Sequence, residues 1–147
     1  MSAASSYLEV KVLAHVLTAT AYTAPTTRYV ALFNNTSGNA LANLQNGTLT
    51  DEVTTSGSAY GRQAITFAAP STTGSGLTAV TSAVSNATVT FPAATATWGS
   101  VTHIAVMDGG TAGAGNVLFF GAVTTAKQID TGDTFQITAS NLTVALA

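Results

Sequence analysis

The alternation of apolar and polar residues through the last third of the chain limits what it can fold into more than any other feature. Residues 101–107 (VTHIAVM), 117–123 (VLFFGAV), 135–138 (FQIT) and 142–146 (LTVAL) are short runs, each closed by glycine, aspartate or asparagine. A period of two sends successive side chains to opposite faces, so these runs predict antiparallel strands. Within 101–107, Val101, His103, Ala105 and Met107 share one face, and Thr102, Ile104 and Val106 share the other. Neither face is cleanly polar, which predicts burial on both sides.

Upstream, residues 28–33 (RYVALF) predict a core strand after Ala24-Pro25, where proline favours extended geometry in the residue before it. Residues 60–67 (YGRQAITF) and 84–91 (VSNATVTF) add further strands, the latter ended by Pro92. Residues 34–58, ahead of 60–67, are rich in Asn, Gly, Ser and Thr and predict an exposed loop with short extended pieces, and 70–76 predict another loop. Asn46, Gly47, Asp51 and Gly74 are the candidate outward positions on these loops, and Asp51-Glu52 is expected to be solvated.

Near the N-terminus, Ser6-Tyr7-Leu8-Glu9 has the spacing of a capping box, so residues 7–17 predict a helix capped by Ser6. Val10, Leu13, Ala14 and Leu17 lie on one face of it, a narrow stripe that must pack on something, whether its own sheet or a neighbouring subunit. The expected architecture is a mainly β, single antiparallel β-sandwich domain over residues 1–147, jelly-roll-like, with residues 1–20 as a helical attachment segment.

Composition narrows function. Only 7% of the 147 residues are charged and 46% are apolar, so Thr, Ser and Asn must cover most of the surface. Weak charge repulsion favours close packing with neighbours. The four cations, Lys11, Arg28, Arg62 and Lys127, are scattered and the net charge is -2, which disfavours nucleic acid. The chain has no cysteine, hence no disulfide framework or thiolate zinc site. Its N-terminus has no basic start and carries Glu9 and Lys11, so it is a poor signal peptide. No apolar run reaches the ~20 residues of a membrane span.

Candidate chemistry is sparse. A hydrolase would pair His103 with Asp108 and a serine, but no Gly-x-Ser-x-Gly elbow is present, and a structural histidine is the commoner outcome. His15 stands alone on the helix. Asp130 and Asp133 could contact calcium but lack a bidentate glutamate, and a turn is the simpler role. The glycines of residues 108–116 lead into a strand instead of a helix, which suits a hairpin better than a phosphate loop. Trp98, the only tryptophan, could stack on sugar together with Tyr60 or Tyr29, although an indole closing one end of a sandwich core is the commoner use. The Asn-x-Ser/Thr triplets at Asn34, Asn35, Asn46, Asn86 and Asn141 follow from composition. No cofactor or metal is expected.

The order of these segments carries a resemblance. A short helix, a YVALF strand, YGRQAITF, then FPAATATWGSVTH (91–103), an Asp108 turn, GNVLFFGAV, Gly132-Asp133-Thr134 and a final Leu-Thr-Val strand resemble a family of small tailed-bacteriophage virion proteins. Its members are commonly labelled tail fibre or minor tail proteins. The resemblance spans about residues 7–146 and is most specific at 91–103. The loop between Phe33 and Tyr60 departs from the family in lacking a proline and aspartate turn.

The resemblance implies a non-enzymatic virion structural protein, assembled in the host cytoplasm and released by lysis. The expected form is an oligomeric β-module, a trimer, contacting other tail or major capsid proteins, with a host surface glycan as a further candidate partner. Capsid decoration or cementing is the alternative, and a carbohydrate-binding module is the rival from another class. On this reading Trp98, His103, Phe91 and Phe67 are core residues, and Tyr7, Val10, Leu13 and Leu17 attach the module to the particle.

Overall fold

A computed structural model describes residues 3–146. Met1, Ser2 and Ala147, which belong to the expected attachment segment and domain span, lie outside the described residues. The fold is mainly β, with antiparallel sheets and a short N-terminal helix.

Five strands form the principal sheet: β1 (Ala3–Ala4), β2 (Arg28–Phe33), β3 (Gln63–Ile65), β7 (Gly99–Met107) and β8 (Val117–Ile129), in the order β1-β8-β7-β2-β3. A second layer comes in two pieces. One is a three-stranded sheet of β4 (Ser71–Thr73), β5 (Val80–Val84) and β10 (Thr143–Leu146), ordered β10-β5-β4; the other pairs β6 (Val89–Thr90) with β9 (Gln136–Ile137).

Alternation along β2 explains why the principal sheet is covered on both faces. Val30 and Leu32 join Val106 and Leu118 against Val89, Phe91, Ile137 and Leu142 of the second layer. Ala31 and Phe33 point the other way, joining Ala105, Met107 and Val117 against Leu44. All four β2 residues are fully buried, and burial of a Leu or Phe side chain contributes roughly 1.5–3 kcal/mol. Leu44 belongs to a helix that sequence reasoning missed, α2 (Ala40–Gln45), inside the segment expected to be a loop. Six residues show too little periodicity to announce a helix. Its start is held by the Asn35 side chain, which accepts from the Ala40 amide at 2.9 Å.

The faces of β7 differ from expectation at one point. Between Val101 and His103 the pairing with β8 jumps from Lys127 to Ala122. Such a bulge breaks strict alternation. Val101 consequently enters the core between the layers with Val106, while Ala105 and Met107 face α2.

The N-terminal helix, α1 (Ser6–Leu17), begins one residue earlier than expected, and Ser5 is its cap in place of Ser6. The Ser5 hydroxyl accepts from the Leu8 amide at 3.3 Å and donates to the Val117 carbonyl, fastening the helix start to β8. Other boundaries also moved. The expected strand at 84–91 splits into β5 and β6, 60–67 contracts to β3, and 70–76 contains β4. The strand expected at 117–123 runs on to Ile129.

Candidate functional site

Two features stand out: a buried polar clamp behind the sheet, and an exposed apolar helix beside an open groove. The clamp starts from Glu52, which an isolated bridge to Phe33 places alongside β2. Arg62 Nε donates to Glu52 Oε1 at 2.7 Å and Arg62 Nη2 to Oε2 at 2.8 Å, with both side chains almost wholly shielded from solvent. The bidentate geometry makes this a strong pair. Arg62 Nη1 also donates to the carbonyls of Gly109 and Ala114, and the Gly113 amide donates to Glu52 Oε2. One ion pair thus holds the glycine-rich hairpin of residues 108–116 against the body.

Tyr60 joins the clamp to the aromatic core. Its hydroxyl donates to Glu52 Oε1 at 3.1 Å and accepts from the Leu32 amide at 3.0 Å. Burial, with the nearby Glu52 charge, pushes its pKa far above the ordinary tyrosine value. The Tyr60 ring stacks on Phe91 with centroids 6.1 Å apart and meets Trp98 edge-on at 5.5 Å. Trp98 is 3% exposed, and its Nε1 donates to the Ser58 carbonyl at 2.8 Å. Trp98 and Tyr60 therefore turn no stacking face to solvent.

Asp51 is displaced from its expected outward position. It is 2% exposed and accepts from the Ser37 amide and hydroxyl at 2.7 and 2.6 Å and from Asn43 Nδ2 at 3.1 Å. Burial alone would raise its pKa, but these hydrogen bonds and the neighbouring His103 hold it below the ordinary carboxylate value. Asp51-Glu52 is a buried anchor, not solvated surface.

His103 is buried, with Nδ1 2.8 Å from the Thr102 hydroxyl. Burial lowers its pKa and the Asp51 charge partly opposes the shift. The carboxylate that acts on it is Asp51. Asp108 is occupied within its own hairpin, accepting the Asn116 amide at 2.7 Å and side-chain nitrogen at 2.6 Å.

Asp130 and Asp133 close a turn. Asp133 accepts from the Asp130 amide at 3.0 Å, and Asp130 Oδ1 accepts from Gln128 and Thr97, bonds that lower its pKa. Among the described residues, no group of three His, Asp or Glu could hold a metal ion, and no helix is long and apolar enough to cross a membrane.

The outer surface is a different matter. On α1, Leu8 is the buried residue, whereas Val10, Leu13 and Leu17 are 64, 58 and 73% exposed. Tyr7 is half-buried against the core, with Lys11 Nζ 5.6 Å from its ring. The apolar stripe thus largely faces solvent instead of packing on its own sheet. Beside it runs an apolar groove of about 830 Å³ between α1 and the three-stranded sheet. Phe67, expected in the core, is half-buried there, packing on the core and lining the groove. Phe91 is fully enclosed, while Asn46, Gly47 and Gly74 are exposed.

Comparison with protein families matches residues 3–145 to Gp80, described as podophage GP4 fiber I protein gp80. This chain belongs to the Gp80 family. No curated protein matches it. Residues 60–67 and 91–103, which carried the resemblance to phage fibre proteins, meet in space: Tyr60, Phe91 and Trp98 form one aromatic cluster, with Arg62 beside it. In this Gp80 chain the clamp escaped sequence reasoning. Scarcity was an available signal, because Arg62 is one of only four cations in the chain and Glu52 one of only six carboxylates.

Proposed function

We propose that the chain is a non-enzymatic structural module of a tailed-phage tail, a fibre or minor tail protein that works as a homo-oligomer, a trimer. Membership of the Gp80 family across residues 3–145 carries this reading. The geometry supports it: the buried charges hold loops in place, and five of the eight large exposed hydrophobic residues among those described lie on the N-terminal helix. Residues 1–20 serve as the attachment segment through Val10, Leu13 and Leu17. Asn46, Gly47 and Gly74 present the outward loops, and contact with a host surface glycan runs through those loops. The protein is assembled in the host cytoplasm and carried in the virion.

Gold-labelled antibodies against the chain, applied to intact particles, test the position. Label gathered at the tail is expected. Label spread evenly over the head would replace the tail reading with capsid decoration.

A further inference from the structure

We infer that the groove beside α1 is the seat for α1 of a second copy of this chain, a contact that rests on the oligomeric reading above. Val10, Leu13 and Leu17 recur at i, i+3 and i+7 and form a ridge along the helix, with Leu13 at the edge where the ridge meets the groove that Val12 lines from the same helix. Ridge and groove therefore lie side by side on one chain, and an identical chain carries the complement of each. A ridge of one copy in the groove of the next is a heterologous contact, which closes into a ring when the rotation allows.

The size of the surface fits this occupant. Val10, Val12, Leu13, Val16 and Leu17, with Leu146 across the groove, are all substantially exposed. Together, ridge and groove sides combined, they present on the order of 600 Å² of aliphatic surface, at the upper end of what a monomer's largest patch shows.

Charge supplies the second argument. Glu9 and Arg28 both line the groove yet form no ion pair with one another. Among the described residues the one ion pair is Arg62 with Glu52. Arg28 Nη1 donates to the Pro25 and Thr26 carbonyls, and no carboxylate pairs with the guanidinium among the described residues. Glu9 is the sole carboxylate of α1 and accepts a long 3.5 Å bond from Gln45 Nε2, so an incoming helix brings Arg28 the opposite charge it lacks, while Lys11 stays over the Tyr7 ring of its own helix.

Sedimentation of the purified full-length chain tests the contact. Wild type is expected to be oligomeric and the Leu13→Asp/Leu17→Asp variant monomeric with an unchanged near-ultraviolet signal from Trp98. Arg28→Glu is expected to loosen the oligomer, and adding Glu9→Arg to restore it. Should the double-aspartate variant fail to fold, the absence of native cysteine allows a second test. Leu17→Cys and Ala69→Cys chains, mixed and oxidised, are expected to give far more mixed disulfide dimer than either homodimer. An oligomer that ignores both aspartates, or a mixed disulfide yield no greater than the twofold excess over each homodimer that random pairing of equal amounts of the two chains gives, overturns this surface while leaving the fibre reading intact. A monomeric wild type, including one whose own α1 closes over the groove, overturns the surface and the homo-oligomer together, and antibody labelling of the tail still tests the fibre reading separately.

Discussion

Arg62 reaches across to Glu52 at 2.7 Å in a site closed to water, and through that pair it secures a hairpin about fifty residues further along the chain. Breaking a buried pair by removing one partner leaves the other charged and unsolvated. Arg62→Met is therefore expected to cost about 3–5 kcal/mol, and adding Glu52→Gln to recover part of that loss. Urea unfolding of the single and double variants checks this; additive costs would mean the two side chains act independently.

Trp98 closes the aromatic cluster with Tyr60 and Phe91. Trp98→Ala removes the indole and leaves a cavity, at an expected cost of about 3–5 kcal/mol. In a chain of this size that lowers Tm by roughly 10 °C. A shift of only a degree or two would contradict the core role.

Sequence alternation located β2 to the residue and the principal sheet in outline, because a strand buried on both faces shows itself as an unbroken apolar run. It misplaced Val101, since a bulge between Val101 and His103 depends on pairing with β8 and leaves no local signature. It missed α2, whose burial rests chiefly on Ala40 and Leu44. It placed Asp51 and Glu52 in solvent because their partners, Ser37, Asn43 and Arg62, converge only through the fold. The stripe on α1 was legible, but its lack of a cover within the chain was not.

His103 gives stability a pH dependence of known sign. Its folded pKa lies below the unfolded value of 6.5, so the unfolded chain binds the proton more tightly. The contribution is complete above that value and is lost as pH falls through the folded pKa. Asp51, also lowered, adds a loss of the same sign at more acid pH, below the ordinary aspartate value of 3.8. Urea midpoints for wild type are expected to fall between pH 7.5 and pH 5, and His103→Gln to flatten that fall. An equal slope in the variant would assign the dependence elsewhere.

The hairpin held by Arg62 contains a position where a side chain would displace a hydrogen-bonded carboxylate. Gly115 has φ +80°, and a Cβ there would lie 2.7 Å from Asp108 Oδ1, the atom that accepts the Asn116 amide. Gly115→Ala is expected to cost roughly 1–3 kcal/mol. Gly113→Ala, at φ +74° with nothing within 4 Å, carries only the backbone penalty of roughly 1–2 kcal/mol. Denaturant titration of the two variants compares them, and equal costs would mean that the Asp108 contact carries no weight.

The copy number of the chain in purified particles, measured by quantitative mass spectrometry against the major capsid protein, tests the central claim most directly. A tail fibre module is expected at a few to a few dozen copies, in multiples of three. Hundreds of copies, in fixed ratio to the capsid protein, would contradict the tail assignment and make the chain a decoration of the head.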